Sequence, residues 1–508
     1  MTELLSSVGL VARAELRYVM IELARRLKER HGSRVHLYCN DPQQVAFYEK
    51  EGAGILATVT DAGILSRAAR ESGLDAAAVI AKARKYEGEI GCTYNTLALG
   101  NRHLGRGYAL AGFYHPRSRL SEETDYIQML HAYNAVLEFW DHEIEDKGLT
   151  LIIQGTKEVA RLAATRGVAH RHLTRTRYRS YHYWAENEFL ENPAFERAYH
   201  AVPSVEGAKA EITEPYVDEI VRRKQRLKGA TFTGLVWRLG HDMARQAYWW
   251  MRGYEKAKGY YLRDKLDYHV RYWAAAREVT GTKVARLANL EDMPFVFFPL
   301  GTEPEINIHI RSPEYFYQQA AIAALSRDLP AGVRLVVKEH TTAVGRRPDK
   351  FYEQIRRLKN VVMLDMLERG HEVVRRAAAV ATISGTAGFE AAVMGKPVIA
   401  FGRHNVYNFL PHVMVVTDET KLRDYLEAVF NGDVDLDRAR ADGARFLQAL
   451  IDSSFDMRGY DYSNFRNVDG EAIEDAYQGL VSSLKGTGKV ELEQISAKPN
   501  DDQQVGTF

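Results

Sequence analysis

Two cysteines in 508 residues, Cys39 and Cys92, are too few to staple a fold, and no C-x-x-C or His/Cys cluster stands at metal-ligand spacing. A disulfide framework and a structural zinc are excluded as sources of stability, and a reducing compartment is implied. Charge of one sign is also missing. With 68 Lys and Arg against 67 Asp and Glu the net charge is +1, so charge alone points to neither nucleic acid nor an acidic partner. Long apolar runs are absent too: no stretch approaches the roughly 18 residues that span a bilayer. The N-terminus, MTELLSSVGLVARAELRYVM, is broken by Glu3, Arg13, Glu15 and Arg17 and offers no signal-peptide core. These absences set the expectation of a cytoplasmic protein. What is plentiful is apolar content, 46% of the chain, in a length that calls for two or three domains rather than one core.

The first half reads as strand followed by helix. A helix-like segment lies near 12–30, then VHLYCN (35–40) closes on Asn40 and Asp41 as a strand leading into a helix start. LTLIIQG (149–155) repeats the pattern, and TKEVARLAATRG (156–167) has helical spacing until Gly167 stops it. Buried strands alternating with helices predict a parallel sheet covered on both faces, a first domain over 1–205. Between these units, 100–119 is dense in Gly and Arg and reads as a loop system.

The segment 206–288 differs. It reads as a helical insertion, and from 220 to 285 fifteen Lys and Arg stand against five Asp and Glu, with Trp237, Tyr248, Trp249, Trp250, Tyr260 and Tyr261 interleaved. The plainer reading is an inter-domain helical layer whose aromatics are core; the alternative is a surface for membrane or polyanion.

From Pro294 the rhythm becomes strict. FVFFPL (295–300), VRLVVKE (333–339), NVVMLD (360–365), AVATIS (379–384) and PVIAFG (397–402) predict a second doubly wound domain over 289–430. C-terminal helices are expected over 431–490 and a disordered polar tail over 491–508. In such sheets ligands sit outside the carboxyl ends of the strands, where helix N-termini attract anions. Ser384, Gly385 and Thr386 stand at one such end, offering two hydroxyls and backbone amides to a phosphate, with Glu390 one turn into the next helix to accept from a sugar diol. Lys338, Glu339 and His340 end another strand, where Lys338 and His340 can screen leaving-group phosphate. Alone they would read as a surface strand end with a solvated Lys-Glu pair. Glu303 and Glu305 follow a third strand, as a general base or as holders of sugar hydroxyls.

The run Pro299-Leu300, Pro304-Glu305, then VVKEH, NVVML and ISGTAGFEA-x-x-x-GKPVI resembles the capsule polysaccharide synthesis family, whose members include the Kdo transferases of capsule assembly. The resemblance covers about 290–410. It extends more loosely through NRHLGRGYALAGFYHPRSR (101–119) and TRYRSYHYWAENE (176–188). It implies the GT-B plan, two Rossmann-like α/β domains facing a cleft, and a nucleotide-activated sugar used without metal or cofactor. It also implies nucleotide and phosphate binding by Lys338, His340, Ser384, Gly385, Thr386 and Glu390. Where the Kdo transferases carry Gln-Pro and His-Pro, this chain has Glu303-Pro304 and His340-Thr341, which changes charge and donor capacity and weighs against a CMP-linked acidic sugar as the donor.

The first domain would then supply acceptor and base. Arg102, Arg106, His115, Arg117, Arg119 and Lys157 are candidates to hold an anionic acceptor, and His103 or Glu158 to take its hydroxyl proton. The expectation is a hexosyl- or Kdo-type glycosyltransferase acting on a glycan or lipid-linked glycan, with peripheral inner-membrane contact and no nucleic-acid partner. A nucleotide-sugar epimerase and a non-catalytic carbohydrate- or nucleotide-binding scaffold are the rival readings.

Overall fold

The computed structural model describes residues 3–40, 42–101, 104, 123–203, 230–253, 262–302, 312–315, 317–458, 460 and 468–485. The first sheet begins with β1 (Ser7–Val11), β2 (Arg34–Cys39), β3 (Thr58–Asp61), β4 (Leu151–Ile153), β5 (Ala169–Arg175) and β6 (Tyr181–Ala185). The second holds β7 (Phe295–Pro299), β8 (Arg334–Lys338), β9 (Val361–Leu364), β10 (Ala379–Thr382), β11 (Val398–Ala400) and β12 (Val413–Val415). A last strand, β13 (Phe455–Asp456), returns to the first sheet. The strand orders are β13-β6-β5-β4-β1-β2-β3 and β12-β11-β10-β7-β8-β9. All pairings are parallel except β5 with β6 and β6 with β13. These are two Rossmann-like domains, as the strand-helix rhythm predicts.

The cause lies in burial on both faces. In β7, Val296 and Phe298 point into one core while Phe295 and Phe297 point into the other, so a run of apolar residues satisfies a two-residue period twice. Helix Gln318–Asp328 and helix Phe351–Arg356 cover the first face, and helix Gly370–Arg376, helix Thr386–Val393 and helix Leu436–Asp452 the second. In the first domain, helix Arg17–His31 buries Val19, Met20, Leu23, Ala24 and Leu27 and ends on Gly32, whose φ of 65° closes it. Helix Tyr126–Lys147 starts with a reciprocal cap between Asp125 and Gln128.

The stretch expected to hold only C-terminal helices divides. Helix Leu436–Asp452 packs on the second domain, but β13 and helix Gly470–Ser483 cross back to the first, where Trp184 Nε1 donates to Ala476 O at 2.8 Å. The domains also share a core: Tyr183, Leu190, Phe195 and Tyr199 join the second domain's cluster, and Tyr199 donates to Asp442 at 2.7 Å.

Within the expected insertion, helix Phe232–Met251 and helix Leu262–Ala276 pack on each other, and Tyr272, Ala276 and Val279 anchor them in the second domain's core. The expectation that its aromatics are core is corrected here. Trp237 is 68% exposed and Trp250 82%, because the hairpin offers only one side to the domain. Trp249 is half-buried beneath Arg245, and Tyr260 and Tyr261 lie outside the described residues, as does the tail 491–508. No helix among the described residues is long and apolar enough to cross a membrane.

Candidate active site

In the second sheet the chain runs outward from β7 to β8 and β9, then returns to β10 on the other side of β7. Connections therefore leave β7 and β10 toward opposite faces, and a crevice opens beyond their carboxyl ends. Ser384, Gly385 and Thr386 stand at that point. Gly385 has extended backbone (φ −78°, ψ 159°), caps helix Thr386–Val393, and donates its amide to Thr382 Oγ1 at 2.9 Å. Ser384 and Glu390 are buried, and Asn405 Nδ2 fixes the turn by donating to Ile383 O at 2.9 Å. Gly388 lets this helix lie close on the sheet, since a Cβ there would come within 2.4 Å of Thr382 Cγ2 and of the Tyr407 hydroxyl.

Beside it, β8 delivers Lys338, half-buried, and His340, exposed. Glu339 is not part of a solvated Lys-Glu pair. It is fully buried, and it accepts from Arg347 Nε and Nη2 at 2.8 Å each and from Tyr352 at 2.7 Å. Burial alone would raise its carboxyl, but Arg347, Tyr352 and the His340 amide hold it below the usual carboxylate value. Glu339 is thus structural, and it fixes its neighbour. His340 Nδ1 lies 2.6 Å from Thr342 Oγ1, which is 2.7 Å from Thr302 Oγ1 at the end of β7. Gln318 completes the loop after β7 by pairing with both Gly301 N and Gly301 O.

The first domain reaches into this crevice through a residue that sequence reasoning missed. Arg177, in the β5–β6 turn, donates from Nη1 to Thr386 Oγ1 and from Nη2 to Ser384 O, both at 2.8 Å. Its φ of 77° is left-handed, a strained choice for a non-glycine residue and one that aims the side chain across the domain boundary. The Thr386 hydroxyl, expected to await a phosphate, already accepts from this guanidinium. Thr302 was missed as well. A second bridge stacks Phe189 on His404 with centroids 3.7 Å apart, while His404 Nδ1 lies 2.8 Å from Glu191.

Lys157 and Glu158 start the helix after β4, where Gln154 and Gly155 both take positive φ and bend the chain sharply. Burial pushes the Glu158 carboxyl up and the Lys157 ammonium down. Lys157 Nζ sits 5.5 Å from the Phe189 ring centroid and so touches the second bridge, and Glu158 lies buried beside it. Arg102, His103, Arg106, His115, Arg117, Arg119, Glu303 and Glu305 lie outside the described residues.

Residues 251–436 match the family of capsule polysaccharide biosynthesis proteins. The resemblance carried by the motifs is borne out over this span, which holds Lys338, His340, Ser384, Gly385, Thr386 and Glu390. A search of curated proteins gives no match. Among solved structures, the chain is similar to the β-Kdo 2,7 transferase KpsC of Thermosulfurimonas dismutans (14% identity over 68% of this chain and 89% of that one, TM-score 0.32). It is also similar to the β-Kdo 2,4 transferase KpsC of that organism (15%, 58% and 80%, TM-score 0.29). A third is Anabaena HepE in complex with UDP and glucose (11%, 95% and 100%, TM-score 0.30).

Proposed function

We propose that this chain is a glycosyltransferase of surface-polysaccharide synthesis that binds its nucleotide-sugar donor beyond the carboxyl ends of β7, β8 and β10. The observation that carries this reading is the Arg177 bridge, which sets a cation from one domain on the hydroxyl turn of the other, at the switch point of the sheet. Ser384, Gly385 and Thr386 take phosphate oxygens through hydroxyls and amides at a helix N-terminus. Lys338 and His340 neutralise the charge that develops on the leaving phosphate, and Glu390 accepts from a diol of the donor. The acceptor oxygen attacks the anomeric carbon, the bond to the phosphate oxygen breaks with its electron pair, and the acceptor proton passes to Glu158, His103, Glu303 or Glu305. Arg102, Arg106, His115, Arg117, Arg119 and Lys157 hold an anionic glycan or lipid-linked glycan. In the lipid-linked case the chain works in peripheral contact with the inner membrane. The donor is hexosyl or Kdo-type, the CMP-linked acidic sugar included.

A thermal-shift screen against CMP, CDP, UDP, GDP and TDP tests the reading, because a ligand at about 100 times its Kd adds about 2.7 kcal/mol to the folded state. One nucleotide is expected to raise Tm in the wild type and not in Ser384→Ala. No shift with any nucleotide would contradict the reading, and sugar release without an acceptor would favour an epimerase.

A further inference from the structure

The hairpin is amphipathic in the wrong sense for a helix facing water. Twelve of the twenty residues of helix Phe232–Met251 are exposed, and none of them is Asp, Glu, Lys or Arg. Its three charged residues turn inward instead. Arg238 lies over the Tyr272 ring at 5.2 Å, Arg245 donates to Asp242 at 2.7 Å, and Asp242 lies 2.8 Å from His269 Nε2. The outward face carries Phe232, Val236, Trp237, Met243, Trp250 and Met251, each at least half exposed. A helix partnered only by water reverses this arrangement.

We infer that this face of helix Phe232–Met251 lies in the headgroup region of an anionic lipid surface. Its composition favours lipid: tryptophans and methionines alternate with small residues along one uncharged face, as in helices that rest in a membrane interface. Its flanks supply the charge. Residues 222–228, RRKQRLK, contain five Lys and Arg just before the helix, and Arg252 follows it at once. Such clusters beside an apolar face are drawn to anionic lipid.

The hairpin's anchor links this surface to the site. Gly345 has φ 79°, and a Cβ there would come within 2.7 Å of Tyr272 N, so the loop leaving β8 lies directly on helix Leu262–Ala276. That loop carries His340, Thr342 and Arg347. Lipid contact therefore holds the donor crevice near the bilayer, where a lipid-linked acceptor resides; the inference rests on the proposed function for that acceptor alone.

The test uses the full chain with phosphatidylcholine vesicles, with and without phosphatidylglycerol. The wild type is expected to float with the anionic vesicles, more weakly at high salt, with its tryptophan emission shifted to the blue. Trp237→Glu/Trp250→Glu is expected to lower partitioning roughly tenfold or more while circular dichroism and the nucleotide-induced Tm shift persist. Wild type that ignores anionic vesicles, or a double variant that binds them equally, overturns the inference. So does a wild-type dimer that the double variant turns into a monomer without any vesicle binding, since a second copy would then cover the face. Should the double variant fail to fold, quenching of wild-type tryptophan by brominated lipid decides, and its absence counts against the inference. Wild type that shows the nucleotide shift but no vesicle binding refutes the docking alone; wild type that binds vesicles but shows no nucleotide shift refutes the donor site alone.

Discussion

Replacing Arg347 by methionine removes the guanidinium that pairs with the buried carboxylate of Glu339; the two side chains are 2% and 0% exposed. The guanidinium makes two bonds to Glu339 at 2.8 Å and a third to Gly301 O at 2.6 Å, so it ties the end of β7 to the end of β8. Truncating one partner of a buried pair costs about 3–5 kcal/mol. For a folding unit of this size each kcal/mol moves Tm by roughly 2–4 °C, which gives a fall of about 6–20 °C at neutral pH. Arg347→Met/Glu339→Met, with no charge left buried, is expected to melt well above the sum of the two single defects. The pH dependence has a definite sign. Because Glu339 is held below its usual value, its contribution is present above the unfolded carboxylate pKa and is lost as pH falls through the folded one. The defect of Arg347→Met therefore narrows toward acid, as the orphaned carboxyl takes a proton. Calorimetry of the three variants across pH reads all of this. A fall under about 2 °C at neutral pH, or simple additivity in the double variant, would refute the reasoning.

Arg177→Ala deletes two inter-domain bonds and the cation they hold at the β10 turn, so nucleotide affinity is expected to fall about tenfold or more, as for hydrogen bonds to a charged group; unchanged affinity by titration calorimetry would remove Arg177 from the site. Glu158→Gln separates function from stability. Burial raises the Glu158 carboxyl, so its contribution is present below the unfolded value and is lost as pH rises through the folded one. The glutamine variant is then at least as stable as wild type at neutral pH, while sugar transfer falls by about 100-fold or more if Glu158 is the base. A variant that melts lower at neutral pH and transfers normally contradicts both statements.

The second domain was legible because its strands are short apolar runs buried on both faces, so FVFFPL, VRLVVKE, NVVMLD, AVATIS and PVIAFG each contain an observed strand. β1 was hidden in SVGLV, which runs within a few residues into helical turns and looks like part of them. β3, Thr58–Asp61, is half-buried at the sheet edge and has no apolar alternation to read. β13 has two residues, and its partner β6 lies more than two hundred positions earlier, so only tertiary packing makes it a strand. At the site, the hydroxyl turn was readable from its place after a strand, whereas Arg177 is one of several arginines in TRTRYRS and is singled out by a left-handed φ. The burial of Glu339 was equally invisible, since it depends on an arginine brought back by the turn over 340–347. The outward tryptophans misled for a related reason: spacing gives the faces of a helix but not which one the domain covers.

The central claim is that the turn after β10 holds the donor's phosphates. Titration calorimetry of the nucleotide that shifts Tm, into wild type and into Ser384→Ala/Thr386→Ala, tests it most directly. The predicted result is a folded double variant whose affinity is weaker by about 1.5–3 kcal/mol, or roughly tenfold to 150-fold. Equal affinity in a folded double variant would contradict it.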